Sequence, residues 1–469
     1  SHRAEYDDLE PYAQDYVDAV LNSYFGSPTE MVVWDRLPLN LHLAEGAIAS
    51  ANDRTLTFEL AEPHGEVAPG TEILWVNPDS GETSSGWVRE WDESSHSATL
   101  DEKLAQIPIE GSPVIVGPAE ILVRGRHLYG EHCQHCHGVA GDGAGPTARY
   151  LNPRPRDYRK GIFKFTTTQA SERICRDDLS RIIEDGIPGT YMPSFKLLTD
   201  DEMESIIEYV MWLSMRGEVE YKLVKFLSES YTRDVVLERI ADARTKRQAD
   251  LQAAREAGTD PPDREYETYA SIRQEFFELA KDPDEFPIIF EETIDLMVSQ
   301  WESAQQSDAL VRPTDHFADQ NASVVATALL DQESVKRGRA LYLSADLNCV
   351  ACHGEAGYGD GAQTYTITKN LETGEENPEP GLYDHWGNPI APRNLHTGIF
   401  RGGRRPLDLY CRIHAGIKGT PMPAFGAKLK DQQIWDIVNY VYSVPYEEEN
   451  AGTGEPAAKS GSDGVASLK

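Results

Sequence analysis

The sequence has little positive charge, few sulphur-containing residues and no long hydrophobic run. No stretch of about 18 consecutive apolar residues occurs in the 469 residues, so we expect no membrane-spanning segment in this chain. Asp and Glu number 78 against 44 Lys and Arg, a net charge of -34. Such a surface repels nucleic-acid phosphates, and we expect no nucleic-acid partner. The length predicts about two to four domains.

Only six cysteines are present, and four of them lie in two copies of the pattern Cys-x-x-Cys-His. The residues of the two copies are Cys133, Cys136, His137 and Cys349, Cys352, His353. This pattern attaches haem through two thioethers and offers a histidine to the iron. A single Cys-x-x-Cys could instead bind zinc or carry out redox chemistry, but a histidine and then a glycine (Gly138, Gly354) follow both copies. We therefore predict two covalently bound haem c groups.

Covalent haem attachment of this kind takes place outside the cytoplasmic membrane. The motifs therefore predict a periplasmic or otherwise extracytoplasmic protein, with membrane association left open. Residues 1–5 have no apolar core of an export signal, and we expect the numbering to begin at a mature or trimmed end. Cys175 and Cys411 lie outside the motifs, and both a disulfide between them and two buried free thiols stay open.

The sequence repeats itself around the two motifs. Before the motifs, residues 337–342 repeat Arg124-Gly125-Arg126-His127-Leu128-Tyr129 with one change. After the motifs, four segments recur in the same order: Gly141-Asp142-Gly143 as 359–361, Pro155-Arg156 as 392–393, residues 161–164 as 398–401, and residues 186–195 as 416–425. Each repeat contains a Met-Pro pair followed by a predicted amphipathic helix, at residues 200–214 and 431–442. The chain thus contains two related units.

Helix, Cys-x-x-Cys-His, loop, Met-Pro loop and terminal helix, in this order, resemble the layout of class I cytochromes c, here two in tandem. The resemblance covers roughly residues 118–217 and 331–446. Within it, the Gly-Asp-Gly runs, Pro155-Arg156-Asp157 and Phe163-Lys164-Phe165 are similar to cytochrome subunits of respiratory complexes, including alternative complex III. The expected fold is multidomain, with two mainly α-helical cytochrome domains, an N-terminal small β domain and a helical insertion.

The motif histidines, His137 and His353, are predicted to bind one axial face of each iron. Met422 is the only methionine after the second motif, and we predict it as the opposite ligand. In the first half only Met192 lies in the repeated loop, whereas Met203, Met211 and Met215 lie on or beside the terminal helix. A histidine and methionine pair suits electron transfer better than oxygen or peroxide binding.

A proximal histidine is normally oriented by a hydrogen bond from its other ring nitrogen. The resemblance implies that the carbonyl groups of Pro155 and Pro392 accept these bonds. Arg156 and Arg393 follow directly, and their guanidinium groups are predicted to bind the haem propionates.

The remaining regions carry no cysteine motif. Residues 1–117 predict a helix at 13–24 and a small β-barrel or sandwich with strands at 55–60, 72–76, 86–91 and 113–116, whose default role is docking or structural. Residues 218–330 predict a helical linker or arm, with helices at 219–257, 266–280 and 288–303. Residues 447–469 predict a disordered tail. The second unit's longer loop, 363–391, could cover the haem edge or be an ordinary surface insertion.

The leading functional hypothesis is an extracytoplasmic dihaem cytochrome that transfers single electrons and is not itself an enzyme. Its expected partners are redox proteins, including a membrane respiratory complex, and the acidic surface could steer a basic partner or only confer solubility. One alternative is a dihaem enzyme, a peroxidase or haem dehydrogenase, which needs an open axial position. Another is a redox-responsive assembly or sensor module.

Overall fold

The computed structural model describes residues 4–61, 63–313, 331–371 and 373–447. We number its helices and strands in chain order. The elements are α1 (Ala4–Asp7), α2 (Pro11–Tyr24), β1 (Ala44–Ala51), β2 (Thr55–Leu60), β3 (Glu72–Val76), β4 (Thr83–Asp92), β5 (Ser97–Leu100), β6 (Pro113–Val116), α3 (Glu120–His132), α4 (Gln134–His137), α5 (Arg176–Asp185), α6 (Asp200–Tyr231), α7 (Arg233–Ala257), α8 (Tyr269–Lys281), α9 (Phe286–Ser303), α10 (Gln332–Tyr342), α11 (Val350–His353), β7 (Leu382–Tyr383), β8 (Pro389–Ile390), α12 (Pro406–Ala415) and α13 (Asp431–Ser443).

The N-terminal strands form a closed antiparallel barrel in the order β1-β2-β5-β4-β3-β6, in which β6 pairs with β1. Alternate residues point inward, and Ile48, Phe58 and Trp75 are buried in its core. The prediction of a small β domain is confirmed, and the barrel form is the correct one of the two alternatives. Strands β1 and β5 were missed because their sequences contain small and polar residues rather than a hydrophobic run.

The same close helix crossing is found in both units. Gly125 of α3 lies against α6, where an added Cβ atom would stand 1.9 Å from the Ser205 carbonyl oxygen. Gly338 of α10 lies against α13 in the same way, 1.9 Å from the Asp436 carbonyl oxygen. A tyrosine pair follows each crossing, Tyr129 with Tyr209 and Tyr342 with Tyr440, and both pairs have ring centroids 5.2 Å apart. Glycine therefore lets the two helix backbones touch in each unit.

Helix α6 is longer than the sequence predicts. It begins after a Thr199 and Glu202 capping box and continues through the predicted end at Ser214 to Tyr231. The expected helix at 219–257 is therefore wrong as a single element: its first part belongs to α6, and α7 begins at Arg233 after a Thr232 N-cap. The predicted boundary between residues 217 and 218 falls inside α6.

The helices on either side of the first unit pack onto it instead of standing apart. Buried residues of α2, α8 and α9, including Val17, Phe276 and Trp301, belong to the same core as Trp212 of α6. The picture of an independent hairpin arm is wrong for α8 and α9. The charged stretch 241–256 of α7 is mainly exposed, as predicted. The predicted tail after residue 447 lies outside the described residues. No helix within the described ranges is both long enough and apolar enough to cross a membrane.

We predict that Gly125→Ala and Gly338→Ala each destabilise the protein by roughly 2 to 3 kcal/mol, because the new methyl group would overlap a backbone carbonyl. Gly130→Ala is the matched control in α3, since the nearest atom to its added Cβ is 3.8 Å away. That change should be neutral or stabilise by up to about 1 kcal/mol through helix propensity. Denaturant unfolding of the purified variants measures the difference, and equal effects at all three positions would contradict the close crossing.

Candidate haem sites

Each Cys-x-x-Cys-His motif forms a single helical turn, α4 or α11, that ends at a glycine with positive φ (Gly138 at 78°, Gly354 at 77°). The preceding helix fixes this turn through a buried tyrosine. The Tyr129 hydroxyl donates to the Gly138 carbonyl at 2.8 Å, and the Tyr342 hydroxyl donates to the Gly354 carbonyl at 2.6 Å. The four motif cysteines, His137 and His353 are all half-buried. Both turns are therefore built alike.

The glycine-rich loops after the motifs correspond in a different register from the predicted one. The Gly143 amide donates to the His137 carbonyl and the Gly359 amide to the His353 carbonyl, both at 2.9 Å. Gly143 is thus the counterpart of Gly359, and the predicted match of Gly141-Asp142-Gly143 with 359–361 is wrong by two residues. When the two motifs are aligned without a gap, Gly145 corresponds to Gly361. The Gly145 amide donates to the Cys136 carbonyl and the Gly361 amide to the Cys352 carbonyl, both at 3.1 Å.

The proximal histidines are oriented by arginine carbonyls. Nδ1 of His137 lies 3.1 Å from the Arg156 carbonyl oxygen, and Nδ1 of His353 lies 3.4 Å from that of Arg393. The prediction of Pro155 and Pro392 as the acceptors is wrong by one residue, because the proline carbonyls face Gly143 and Gly359 instead. Burial lowers the pKa of His137 to about 4 and also lowers the pKa of His353. Both imidazoles are therefore neutral at pH 7, as a metal ligand must be.

The two Met-Pro loops share one set of hydrogen bonds. The amide of Met192 donates to the Thr190 hydroxyl at 3.2 Å, and the amide of Met422 donates to the Thr420 hydroxyl at 3.3 Å. Each methionine carbonyl accepts from the isoleucine amide that opens its loop, Ile187 or Ile417, at 3.2 Å. The backbone of both predicted ligands is therefore held in the same way, and both side chains pack against the core of their own unit.

The predicted residues of the second unit meet in one cavity of about 480 Å³. Cys349, Cys352, His353 and Met422 line it together with Pro392 and Arg393. Apolar side chains, including Leu347, Phe400 and Ile437, form much of its wall. The described residues of the first unit give the same local geometry for Cys133, Cys136, His137 and Met192, and Cys133 and Met192 pack against one core.

The charges around the second cavity fit a group with apolar faces and anionic substituents. The described side chains that line it include five Lys or Arg residues but one carboxylate, Asp346, in a chain whose net charge is -34. The Nε of Arg401 is buried and has no hydrogen-bond partner among the described residues. Haem has two propionates and a large apolar face, so the residues present fit it.

The two predicted propionate-binding arginines differ. Arg393 lines the second cavity, and its Nε donates to the Ile399 carbonyl at 2.5 Å. The Arg156 guanidinium carbon lies 3.7 Å from the centre of the Trp386 ring, a residue of the other unit. Burial lowers the pKa of Arg156 to about 10. A propionate contact of either arginine stays a prediction, and the partner of Arg156 in the structure is the indole.

The two units meet through matching contacts that the repeat relates to one another. Cγ2 of Ile162, in the first unit, lies 3.2 Å from the position a Cβ atom of Gly419 would take. Cγ2 of Ile399, its counterpart in the second unit, lies 3.2 Å from the same position on Gly189. Gly189 and Gly419 occupy equivalent positions in the two Met-Pro loops. Each predicted methionine loop is therefore packed against the other unit.

The insertion at 363–391 reaches across this contact. The Asp384 carboxylate lies 3.4 Å from Nζ of Lys164 in the first unit. Within the second unit, the His385 amide donates to the Gly419 carbonyl of the methionine loop at 3.1 Å. Trp386 stacks on Arg156, while Leu382 and Ile390 line the second cavity. The insertion therefore covers the second site and binds the first unit, and the alternative of an ordinary surface insertion is wrong.

Cys175 and Cys411 are buried, unpaired thiols in the structure, so the disulfide alternative is not found there. Burial raises the pKa of each thiol to about 12. Sequence reasoning missed Lys418, a half-buried residue whose Nζ donates to the Thr168 hydroxyl at 2.7 Å and to the Glu172 carbonyl across the contact between units. Its only sequence signal was the replacement of Pro188 by lysine at the matching position of the second loop.

Comparison with known proteins identifies the family of the chain. The cytochrome c family profile matches residues 122–214 and 335–445. Cytochrome c55X of Paracoccus denitrificans (strain Pd 1222) is 30% identical over 109 residues, which are 23% of this chain and 85% of that protein. The chain belongs to the cytochrome c family, whose members carry covalently bound haem c. A solved chain of the Kuenenia stuttgartiensis reducing HAO-like protein complex matches with 24% identity and a TM-score of 0.38, over 68% of this chain and 95% of that one.

We predict that Trp386→Ala destabilises the protein by roughly 3 kcal/mol, because it removes a large packed side chain together with the ring beneath Arg156. Trp87→Ala is the matched control, since Trp87 lies on the barrel and is 52% exposed. The control should cost no more than about 0.5 kcal/mol. Denaturant unfolding provides the measurement. Similar losses for both variants would contradict a structural role of the Trp386 contact.

Proposed function

We propose that the protein is an extracytoplasmic dihaem cytochrome that passes single electrons between its two haems and an external redox partner. The observation that carries this proposal is the shared construction of the two sites. Each has a Cys-x-x-Cys-His turn, a neutral histidine held by an arginine carbonyl, and a Met-Pro loop fixed by the same three hydrogen bonds. Histidine and methionine together would occupy both ligand positions of a bound haem iron, which would favour electron transfer over reaction with a substrate.

The same residue types would hold haem at each site. In the first unit, Cys133 and Cys136 would anchor the porphyrin, and His137 would offer a neutral ring nitrogen to the iron. In the second unit, Cys349, Cys352 and His353 would do the same. Bound haem would supply a one-electron iron couple. The threonine and isoleucine bonds hold the methionine loop in place before the group is bound, which limits rearrangement when the charge of the site changes. The largely apolar wall of the second cavity would limit the water around a bound haem.

The methionine loops differ at their surfaces, which supports different partners for the two units. Tyr191 and Leu197 beside the first loop are 67% and 100% exposed, whereas Pro421 and Ala427 occupy the matching positions in the second loop. Exposed apolar side chains beside a redox site suit a protein partner. We propose that the first unit meets a redox protein of this kind, with a membrane respiratory complex as the expected partner, similar to the role of cytochrome subunits in alternative complex III.

We predict that Met192→Ala and Met422→Ala each convert one of two low-spin haems to a form with an open axial position. The far-red absorption band of methionine ligation should fall by about half in each variant, because each change removes one of two sulphur ligands. Met211→Leu is the matched control, because Met211 is fully buried within α6 and is not part of the methionine loop. This substitution should leave the band intact. Optical spectra of the ferric proteins measure the band, and a haem assay after alkaline pyridine treatment counts two haems per chain.

Two results would contradict the proposal. A haem count other than two would contradict the dihaem assignment. Binding of cyanide to one ferric haem of the unaltered protein, with peroxide turnover and without loss of the methionine band, would favour the enzyme alternative.

A further inference from the structure

The cavity of the second unit is not made by the second unit alone. Lys164 and Phe165 of the first unit line it beside Cys352, Arg393 and Met422. Phe165 lies in the contact between units, since its ring would stand 2.3 Å from an added Cβ of Gly402. These two residues come from the segment 161–165, which also carries the Ile162 contact with Gly419. The wall of the second site therefore depends on the first unit.

The basic residues around this cavity are not equally available to an anion. Arg412 donates to the Gly403 carbonyl, and Arg393 donates one of its guanidinium hydrogens to the Ile399 carbonyl. Lys164 faces Asp384, but the distance of 3.4 Å is long for a charged hydrogen bond. The other oxygen of Asp384 already accepts from the amides of Trp386 and Asn388, at 3.1 and 3.0 Å, which shape the turn of the insertion. Among the described residues, the Lys164 ammonium group, which has three donor hydrogens, pairs with one carboxylate, that of Asp384, at this long distance.

We propose that Lys164 of the first unit binds a carboxylate of the haem held by the second unit. The second haem site would then be completed across the contact between units, with Asp384 holding the lysine side chain toward the cavity. This inference rests on the proposed dihaem function. It gives the segment 161–165 a second role beyond packing, since one lysine on the first unit would help to set the electron affinity of the second iron.

The test is a spectroelectrochemical titration of both haems in the full-length, haem-loaded protein. Met422→His identifies which potential belongs to the second haem, because it changes that ligand alone. Lys164→Gln should lower the potential of the second haem and leave the first unchanged, since loss of a nearby positive charge favours the ferric iron. The expected change is roughly tenfold in the equilibrium constant for electron sharing between the haems. Lys164→Arg should restore most of the original value.

Two further variants separate this role from a packing role. Lys160→Gln is the matched control, because Lys160 directly precedes this segment and its Nζ lies over the Tyr221 ring at 5.1 Å. This substitution should shift neither potential. Asp384→Asn keeps the oxygen that accepts from the two amides and removes a negative charge, so it should raise the second potential. If Lys164 served only to pair with Asp384, Lys164→Gln and Asp384→Asn would shift the potential of the second haem in the same direction. That result would overturn the inference.

The remaining outcomes are also decisive. A Lys164→Gln shift that falls on the first haem, or that matches Lys160→Gln, would overturn the inference while leaving the dihaem function intact. If Lys164→Gln fails to load haem, Lys164→Arg must load it normally, and failure of both would contradict a role of the charge. Loss of the dihaem function itself would be recognised separately, by the haem count of the unaltered protein.

Discussion

The structure depends on the contact of each methionine loop with the opposite unit. Gly189 and Gly419 each leave room for an isoleucine of the other repeat, at matching distances of 3.2 Å. A side chain at Gly189 would crowd Arg393 and Ile399 of the second unit, and one at Gly419 would crowd Ile162 of the first unit and Trp386 of its own unit. Both glycines have positive φ, which other residues rarely adopt. The contact is self-complementary, as is usual where two copies of one module pack together. It fixes the two predicted methionine ligands relative to one another.

The rest of the molecule supports this contact from both sides. In the first unit, the long helix α6 carries the core that joins α2, α8 and α9 to the cytochrome fold, so this unit has a larger hydrophobic core than its sequence repeat alone supplies. In the second unit, the insertion at 363–391 reaches the first unit through Asp384 and Trp386. Repetition explains the likeness of the units, and these additions make their surroundings different.

Predictions from the sequence were most accurate where the chemistry requires residues at a fixed spacing. The motif residues, the Met-Pro loops and strands such as Glu72–Val76 were found because short patterns determine them. The acceptor carbonyl of His137 was missed by one residue, and the glycine loop by two, because backbone register depends on loop conformation that composition does not reveal. The Arg156 contact with Trp386 could not be predicted, since it joins residues 230 positions apart and depends on how the units dock.

The central claim is that the two units form one module in which an electron moves between haems within a single molecule. Rapid photoreduction of the fully ferric protein by one electron per molecule, followed by optical detection of both haems, tests this directly. The account predicts that redistribution of the electron between the haems is first order, with a rate constant independent of protein concentration. A redistribution rate that rises in proportion to protein concentration would contradict it, because exchange would then require collision between molecules.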